Sequence, residues 1–256
     1  MKNPLVSIIV TTFNRPIELE ECLDSIFSQT FQNFEVILID NYSKYELNEM
    51  FIKYPLEKLR FFQNDNKGII AINRNYGIHR ARGEYIAFCD DDDMWDINKL
   101  AHQLKLIQQT NSEICYTAIR EFNDKKNFRV RRYSDIVGLS LLRKNQICLS
   151  SVLAKNTSTL FFNENPNRLA IEDYDLWLNF LFLKKKFVYL AKPLVWFRLN
   201  PDSTSTKKRF IVEKNKISLF LYLIRKAFRM KSLSILIIVL SRLAKSALKL
   251  IYFINK

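Results

Sequence analysis

The sequence predicts an α/β fold, a largely parallel sheet flanked by helices, with a basic helical tail. Continuous apolar runs rich in β-branched residues recur along the first half of the chain, as expected for strands buried on both faces. Segments with a helical apolar stripe separate these runs, and strand-helix alternation with short connections is typical of a doubly wound sheet. Such sheets bind ligands beyond the carboxyl ends of their strands. The polar residues that follow each strand are therefore candidate site residues.

The predicted elements follow in chain order. Strands are predicted at residues 5–10, 34–39, 59–62, 84–88, 187–190 and 194–197. Helices are predicted from residue 16, over 69–81 and 97–109, and from residue 172. Pro16 suits a first helical position because it lacks an N–H that would need a partner there. Gly83 lies just past the end of the 69–81 helix, where glycine is common.

Composition limits the class of protein. With 256 residues and 48% hydrophobic content, the chain can form one sizeable domain with a small appendage. The four cysteines show no C-x-x-C spacing, and two histidines do not complete a zinc site. We expect buried, reduced thiols in a cytosolic protein and, because Met1 leads almost directly into a strand, no signal peptide. No Gly-rich dinucleotide or P-loop motif is present.

The run Asp90–Asp93 at the end of the 84–88 strand is the most informative motif. Four adjacent carboxylates repel one another unless they are solvated or hold a cation. In extended chain Asp90 and Asp92 point to one side and Asp91 and Asp93 to the other. The first pair, with open positions around it, suits a divalent ion that also binds phosphate oxygens.

Other interpretations of the Asp run remain open. It could be a solvated turn whose acids favour the start of the next helix. An EF-hand lacks its required Gly and Glu. A phosphotransferase with Asp90 as nucleophile is disfavoured by Met94 and by the central position of the motif.

The ordered motifs resemble the inverting family 2 glycosyltransferases with a GT-A fold. The resemblance covers roughly residues 4–205. It rests on five stretches in the family's order: 6–15 (VSIIVTTFNR), 39–40 (ID), 66–85 with its NKG, RNYG and ARGEY pieces, 90–95 (DDDDMW) and 172–177 (EDYDLW). It implies a Rossmann-like mixed sheet flanked by helices, with a nucleotide-sugar half at about 1–110 and an acceptor-side half at about 111–205.

The resemblance also implies roles for individual residues. These are donor-binding residues Thr11, Phe13, Asp40, Arg74 and Asp90, metal-binding residues Asp92 and Asp90, and the general base Asp173. Thr11 and Phe13 would line the nucleoside pocket, and Asp40 would accept a hydrogen bond from a uracil ring. Mn²⁺ or Mg²⁺ on the diphosphate would offset the charge of the leaving group. One base then suffices for single displacement with inversion.

Two positions depart from the family pattern, and some assigned residues have simpler explanations. Asn41 stands where a second acid is common after the second strand, and Asn200 stands where a histidine is common. Asp173 could instead cap a helix, and Asp40 could instead serve a turn. Arg74 could be an ordinary surface arginine. Asp175 is expected to serve the helix start rather than the chemistry.

The net charge of +14 belongs almost entirely to the tail, residues 206–256. Residues 207–256 contain 13 Lys and Arg but one acid, Glu213, so the preceding residues are nearly neutral. On a helix, Arg242, Lys245 and Lys249 share one face, opposite Leu240, Leu243, Ala247 and Ile251. Neither apolar block of the tail spans a bilayer. A basic amphipathic helix on an anionic membrane is therefore predicted, with ordinary packing on the domain as the alternative.

The sequence as a whole predicts a metal-dependent hexosyltransferase, peripheral on the cytoplasmic face of the plasma membrane. Its donor would be a UDP-hexose or UDP-N-acetylhexosamine, and its acceptor a lipid-linked saccharide of a cell-surface polysaccharide such as capsule or lipopolysaccharide. The alternatives are an inactive nucleotide-sugar-binding scaffold, motivated by Asn41 and Asn200, and a nucleic-acid or membrane adaptor that uses the basic tail. Nucleic acid is not an expected partner, because the tail lacks interleaved aromatic residues on its charged face.

Overall fold

A computed structural model describes residues 3–124, 127–133, 138–200 and 209–254. Their contacts divide into two compact units. The first contains residues up to 135, 147–161 and 185–199, and the second contains 136–146, 162–184 and the residues from 200 onward. The predicted boundary at 205/206 lies outside the described residues.

The first unit is built on one mixed sheet. In the described part of the chain its strands are β1 Val6–Thr12, β2 Phe34–Asp40, β3 Leu59–Gln63, β4 Tyr85–Asp90, β5 Met94–Trp95, β6 Ile114–Asp124, β7 Asn127–Arg131, β8 Leu153–Lys155 and β9 Phe187–Arg198. Their order is β3-β2-β1-β4-β8-β6-β9-β5, with β7 paired to β6. The first four strands in that order are parallel, whereas β8 runs antiparallel to β4 and β6. The mixed α/β sheet predicted from the sequence is therefore confirmed.

Four helices accompany the sheet in the described part of the first unit. They are α1 Pro16–Phe27, α2 Asn48–Phe51, α3 Ile70–Ile78 and α4 Lys99–Thr110. Helix α1 begins at Pro16 as predicted and buries Leu19, Cys22, Leu23 and Ile26. All four cysteines are free and buried, as expected. The buried residues of β1 and β2 form the centre of this core.

Two glycines allow close approach of backbone to the sheet. A Cβ on Gly83 would lie 2.6 Å from the Ser7 nitrogen and 2.8 Å from the Val6 carbonyl carbon. A Cβ on Gly77, in α3, would lie 2.8 Å from Ile9 Cγ2. Gly83 is thus required by its contact with β1, and the expected role just past a helix end is wrong, because α3 ends at Ile78.

Two sequence expectations needed revision. The strands predicted at 187–190 and 194–197 are one continuous strand, β9, whose pairing with β6 shifts register near Pro193. Strand pairing on both sides of the proline keeps the chain extended where the sequence pattern appeared interrupted. Helix α3 ends at Ile78 rather than near residue 81, because residues 79–81 close it with turn hydrogen bonds.

The second unit is helical in its described residues. It contains α5 Leu139–Arg143, α6 Glu172–Phe182, α7 Arg209–Arg229 and α8 Leu233–Ile254. Helix α6 begins at Glu172 as predicted. Helices α7 and α8 pack along each other, and α8 also contacts α5. The tail is therefore a helical pair within a larger unit.

Candidate functional site

The carboxyl ends of three parallel strands meet at one edge of the first unit's sheet. In the register of β1, β2 and β4, Thr11 lies beside Asp90 and Thr12 beside Asp40. Thr11 and Asp40 are buried, while the side chain of Asp90 is 32% exposed. The sequence predicted that these strand ends converge, and the parallel register explains why they do.

Asp40 organises the turn after β2. Its carboxylate accepts from the Ser43 N–H at 3.0 Å and from the Ser43 hydroxyl at 2.5 Å, and Gln63 Nε2 donates to it at 3.2 Å. Asn41 accepts from the Asn66 N–H at 2.8 Å, which fixes the loop after β3. The amide at position 41 therefore anchors a loop next to the strand ends.

Phe13 and Arg74, two further residues predicted to bind the donor, differ in exposure. Phe13 follows β1 and is 49% exposed, so its ring offers a stacking surface. Arg74 projects from α3 and is buried, and its guanidinium donates to Asp90 at 2.8 Å. An arginine that could have been a surface residue is thus part of the strand-end cluster.

Within the Asp run, exposure alternates as the extended geometry predicted. Asp91 and Asp93 are buried in the protein, whereas Asp90 and Asp92 keep side-chain exposures of 32% and 15%. Thr12 donates to Asp91 at 2.9 Å, and Ser150 donates to Asp93 at 2.6 Å. Asp91 and Asp93 are therefore structural, whereas Asp90 and Asp92 can be reached by a ligand.

Burial dominates the electrostatics of the run. Burial raises the pKa of Asp91 to about 7, with Arg15 opposing the shift and Asp92 adding to it. The pKa of Asp92 is also raised, by burial first and then by the nearby charge of Asp90. Burial likewise raises the pKa of Asp93 well above its usual range. The cluster therefore carries unfavourable negative charge that a cation would relieve.

Sequence reasoning assigned no role to three residues that hold this cluster. Arg15 Nη1 pairs with Asp91 at 2.9 Å and with Asp92 at 2.8 Å. Ser150 also accepts from the Asp90 N–H at 3.1 Å. Arg198, at the end of β9, donates its N–H to Asp93 and its Nε–H to the Asp92 carbonyl, each at 3.0 Å. Arg15 belongs to the conspicuous TTFNR stretch, but nothing near Ser150 in the sequence pointed to it.

The Asp90 and Asp92 carboxylates suit a hard divalent cation whose other ligands are water and phosphate. Among the described residues, no group of three or more His, Cys, Asp or Glu side chains is placed to hold a metal. Asp90 and Asp92 offer carboxylate oxygens, which Mg²⁺ and Mn²⁺ favour, and would leave most of the coordination sphere for water and phosphate. The residues therefore fit a cation bound together with a diphosphate.

Asp173 lies in the second unit, in the first turn of α6. Asn145 Nδ2 donates to its carboxylate at 3.0 Å, and the Tyr174 N–H donates to it at 2.6 Å. Acids are favoured at this end of a helix by its dipole. Asp175, two residues on, instead pairs with Arg168 at 3.2 Å and accepts from Asn163. Asp175 is therefore held to residues that precede α6.

Comparison with known proteins identifies related sequences. The family model described as Glycosyl transferase family 2 matches residues 7–176. An uncharacterized glycosyltransferase of Haemophilus influenzae is 31% identical over 215 residues, which cover 81% of this chain and 84% of that protein. One of Rickettsia bellii is 26% identical over 240 residues, covering 90% of this chain. The chain spans only 34% of the length of the Rickettsia bellii relative and 30% of that of a Rickettsia felis relative.

Solved structures share the fold at low sequence identity. Residues 1–349 of TarS from S. aureus give a TM-score of 0.71 at 19% identity, covering 93% of this chain and 71% of that one. A complex of the same TarS fragment with UDP-GlcNAc gives 0.70 at 18% identity, with coverages of 86% and 66%. The mannosyltransferase PcManGT from Pyrobaculum calidifontis, in complex with GDP-Man and Mn²⁺, gives 0.65 at 16% identity, with coverages of 96% and 76%. These likenesses agree with the GT-A fold that the motifs implied.

Proposed function

This chain belongs to glycosyl transferase family 2, and from that premise we propose that it transfers a sugar from a UDP-sugar to a hydroxyl of a lipid-linked saccharide. The observation that carries the proposal is the cluster of Thr11, Asp40 and Asp90 at adjoining strand ends, with the Asp90 and Asp92 carboxylates both partly exposed. Ligand binding at the carboxyl ends of parallel strands is the general behaviour of such sheets.

The donor would bind with its base and its diphosphate at different parts of the cluster. Thr11, Phe13 and Asp40 would form the nucleoside pocket, with the half-exposed Phe13 ring against the base. Arg74 and Asp90 would face the ribose and diphosphate. The solved TarS and PcManGT complexes hold UDP-GlcNAc and GDP-Man, which supports a nucleotide-sugar as the class of donor. The UDP-hexose or UDP-N-acetylhexosamine preference rests on the acid at position 40, which can accept from a uracil N–H.

Asp92 and Asp90 would hold Mn²⁺ or Mg²⁺ against the diphosphate. The cation would offset the charge that develops on the leaving nucleotide. Because two carboxylates provide too few ligands alone, cation and nucleotide should bind together.

Asp173 would act as the general base that takes the proton of the acceptor hydroxyl. A single carboxylate in that role, with no nucleophilic partner, gives one displacement and inversion of the anomeric centre. The Asn145 hydrogen bond fixes the carboxylate at the start of α6.

A membrane surface would present the lipid-linked acceptor, and the tail would bind it. No helix in the described ranges combines the length and the apolar character needed to cross a bilayer. Helix α8 nevertheless leaves a row of apolar side chains exposed at helical spacing: Leu233, Ile237, Leu240, Leu248 and Ile251. An exposed apolar row with bases beside it is the pattern of a helix that lies in an anionic leaflet.

The basic and apolar faces predicted for the tail helix match the observed exposure only in part. Lys249 lies 3.6 Å from Glu213 of α7, so the predicted basic face contributes to helix packing. Leu240 and Ile251 are exposed as a membrane-facing row requires, whereas Leu243 and Ala247 are only partly exposed. Lys245 stays exposed beside the row, and α7 adds the exposed Arg225 and Arg229. The cytoplasmic face of the plasma membrane carries anionic lipids that would attract these bases, and the chain would act there in cell-surface polysaccharide synthesis.

The reaction is tested by measuring UDP release from UDP-hexoses and UDP-N-acetylhexosamines with Mn²⁺ and lipid-linked saccharides from bacterial membranes. We expect acceptor-dependent release by the wild-type chain and a loss of about 100-fold or more in Asp173→Asn. Asp175→Asn is the matched control on the same helix and should keep most of the activity. Near-normal turnover in Asp173→Asn would refute the assigned base.

Membrane binding is tested by flotation with vesicles of phosphatidylglycerol and phosphatidylcholine. We expect the wild-type chain to float with anionic vesicles and the double variant Ile237→Asp/Leu248→Asp to remain unbound, because two charges enter the apolar row. Ile17→Asp/Ile52→Asp, at exposed apolar positions of the first unit, is the control and should float. Equal flotation of both double variants would exclude α8 as the binding face.

A further inference from the structure

Arg15 holds two neighbouring carboxylates with one nitrogen. Its Nη1 lies 2.9 Å from Asp91 Oδ1 and 2.8 Å from Asp92 Oδ2. Asp91 is also bound by Thr12, whereas Asp92 is among the two carboxylates of the run that remain partly exposed. Arg15 thus neutralises charge at the carboxylate that a divalent cation would use.

We propose that Arg15 is a placeholder cation, which occupies Asp92 in the free protein and releases it when a divalent cation and a nucleoside diphosphate bind. The inference rests on the proposed function, since it concerns cation binding at Asp92. A guanidinium and a divalent cation compete for the same oxygen and also repel each other. Cation binding without nucleotide must therefore displace an existing ion pair.

The exposure of Arg15 distinguishes it from the other arginine of the cluster. The Arg74 side chain, paired with Asp90, is 6% exposed and is fixed by its surroundings. The Arg15 side chain is 32% exposed, so it can leave Asp92 while keeping contact with Asp91 or with solvent. A divalent cation that replaces the guanidinium at Asp92 keeps that carboxylate paired, so the exchange leaves no uncompensated buried charge.

A diphosphate would give the released guanidinium a new anionic partner. Arginine binds phosphate oxygens well because its planar donors match their geometry. The diphosphate would thus relieve the cost of releasing Arg15 as well as supply ligands to the cation. Cation and nucleotide binding should be strongly cooperative in the wild-type chain and less so once Arg15 is removed.

The test is a titration with Mn²⁺ alone, followed by electron paramagnetic resonance of the free ion. We expect Arg15→Gln to bind Mn²⁺ at least about tenfold more tightly than wild type. Arg15→Lys, which keeps the charge, should remain close to wild type. Arg60→Gln, which breaks an ion pair with Glu35 elsewhere in the same unit, should not change Mn²⁺ affinity. Equal or weaker affinity in Arg15→Gln would overturn the proposal.

A measurement on the wild-type chain covers the case in which Arg15→Gln does not fold. The Nε–H resonance of Arg15 is assigned by its absence in Arg15→Lys, and Mg²⁺ with UDP is then added. A shift of that resonance on saturation supports the exchange, and an unmoved resonance in the saturated protein refutes it. Because the Mn²⁺ titration needs neither donor nor acceptor, its failure is distinct from a failure of sugar transfer.

Discussion

Replacing Lys99 by methionine should stabilise the protein at neutral pH. Lys99 begins α4 but is fully buried, and its Nζ has no hydrogen-bond partner within the described ranges. The ammonium lies 3.8 Å from the centroid of the Trp95 ring, a contact that offsets only part of the loss of solvent. Burial lowers the pKa of Lys99 to about 7, while the buried thiols of Cys89, Cys115 and Cys148 oppose the shift.

The size of the expected stabilisation follows from the lowered pKa of Lys99. The usual pKa of 10.5 falls to about 7, so keeping this lysine buried at pH 7 costs on the order of 4 kcal/mol of folding free energy. Between pH 7 and 10.5 the unfolded chain binds more protons than the folded one, so the wild-type stability rises with pH. Methionine has a similar length and no charge. Its advantage should therefore reach its maximum below pH 7 and should shrink by about 2 kcal/mol between pH 7 and pH 9.

The assay is urea unfolding of both proteins at pH 7, 8 and 9, followed by circular dichroism. Comparing the two proteins at each pH cancels titrations that they share. Lys105→Met, at an exposed position of the same helix, is the control and should change stability by less than about 0.5 kcal/mol. A destabilised Lys99→Met protein, or an advantage that does not change with pH, would refute the reasoning that the buried amine is forced toward its neutral form.

Three further predictions concern the packing of Gly83, the support of the Asp run by Ser150, and the salt dependence of membrane binding. Gly83→Ala should lower the unfolding free energy by about 1–3 kcal/mol, because its Cβ would meet β1 backbone; unchanged urea midpoints would contradict this. Ser150→Ala should lower the unfolding free energy by about 1–3 kcal/mol and weaken UDP binding, because the Asp93 carboxylate and the Asp90 N–H lose their shared partner. Calorimetry with and without UDP measures the stability and the affinity. Raising NaCl from 0.05 to 0.5 M (about a threefold shorter Debye length) should release the protein from anionic vesicles in flotation, and salt-independent binding would exclude an electrostatic share.

Much of the first unit could be predicted from the sequence because its elements are locally determined. The β1 and β2 strands are mostly apolar and are buried at every position. Pro16 marks the start of α1, and the stripe that follows it faces the core. Strand β9 was harder to predict, because Pro193 interrupts its pattern while long-range pairing with β6 continues on both sides.

The residues that gather at the strand ends were predictable from the sequence, but the residues that support them were not. Strand ends and family motifs led to Asp40, Arg74 and Asp90. The partners of the run depend on contacts between distant parts of the chain: Ser150 lies 57 residues from Asp93, and Arg198 lies 105 residues from it. No local pattern encodes such pairings. The tail faces were partly misjudged for the same reason, since helical periodicity alone did not reveal that Glu213 of α7 lies near Lys249.

Calorimetric titration of the folded chain with UDP and with GDP, with and without Mn²⁺ and beside Asp92→Asn, tests the donor site most directly. We predict Mn²⁺-dependent binding of UDP by the wild-type chain, weakened at least about tenfold in Asp92→Asn, because the cation would lose one of its two carboxylates. A preference for GDP would keep the reaction class and contradict the assigned donor. Binding of neither nucleotide by folded protein in the presence of Mn²⁺ would contradict the proposed nucleotide-sugar site at the strand ends.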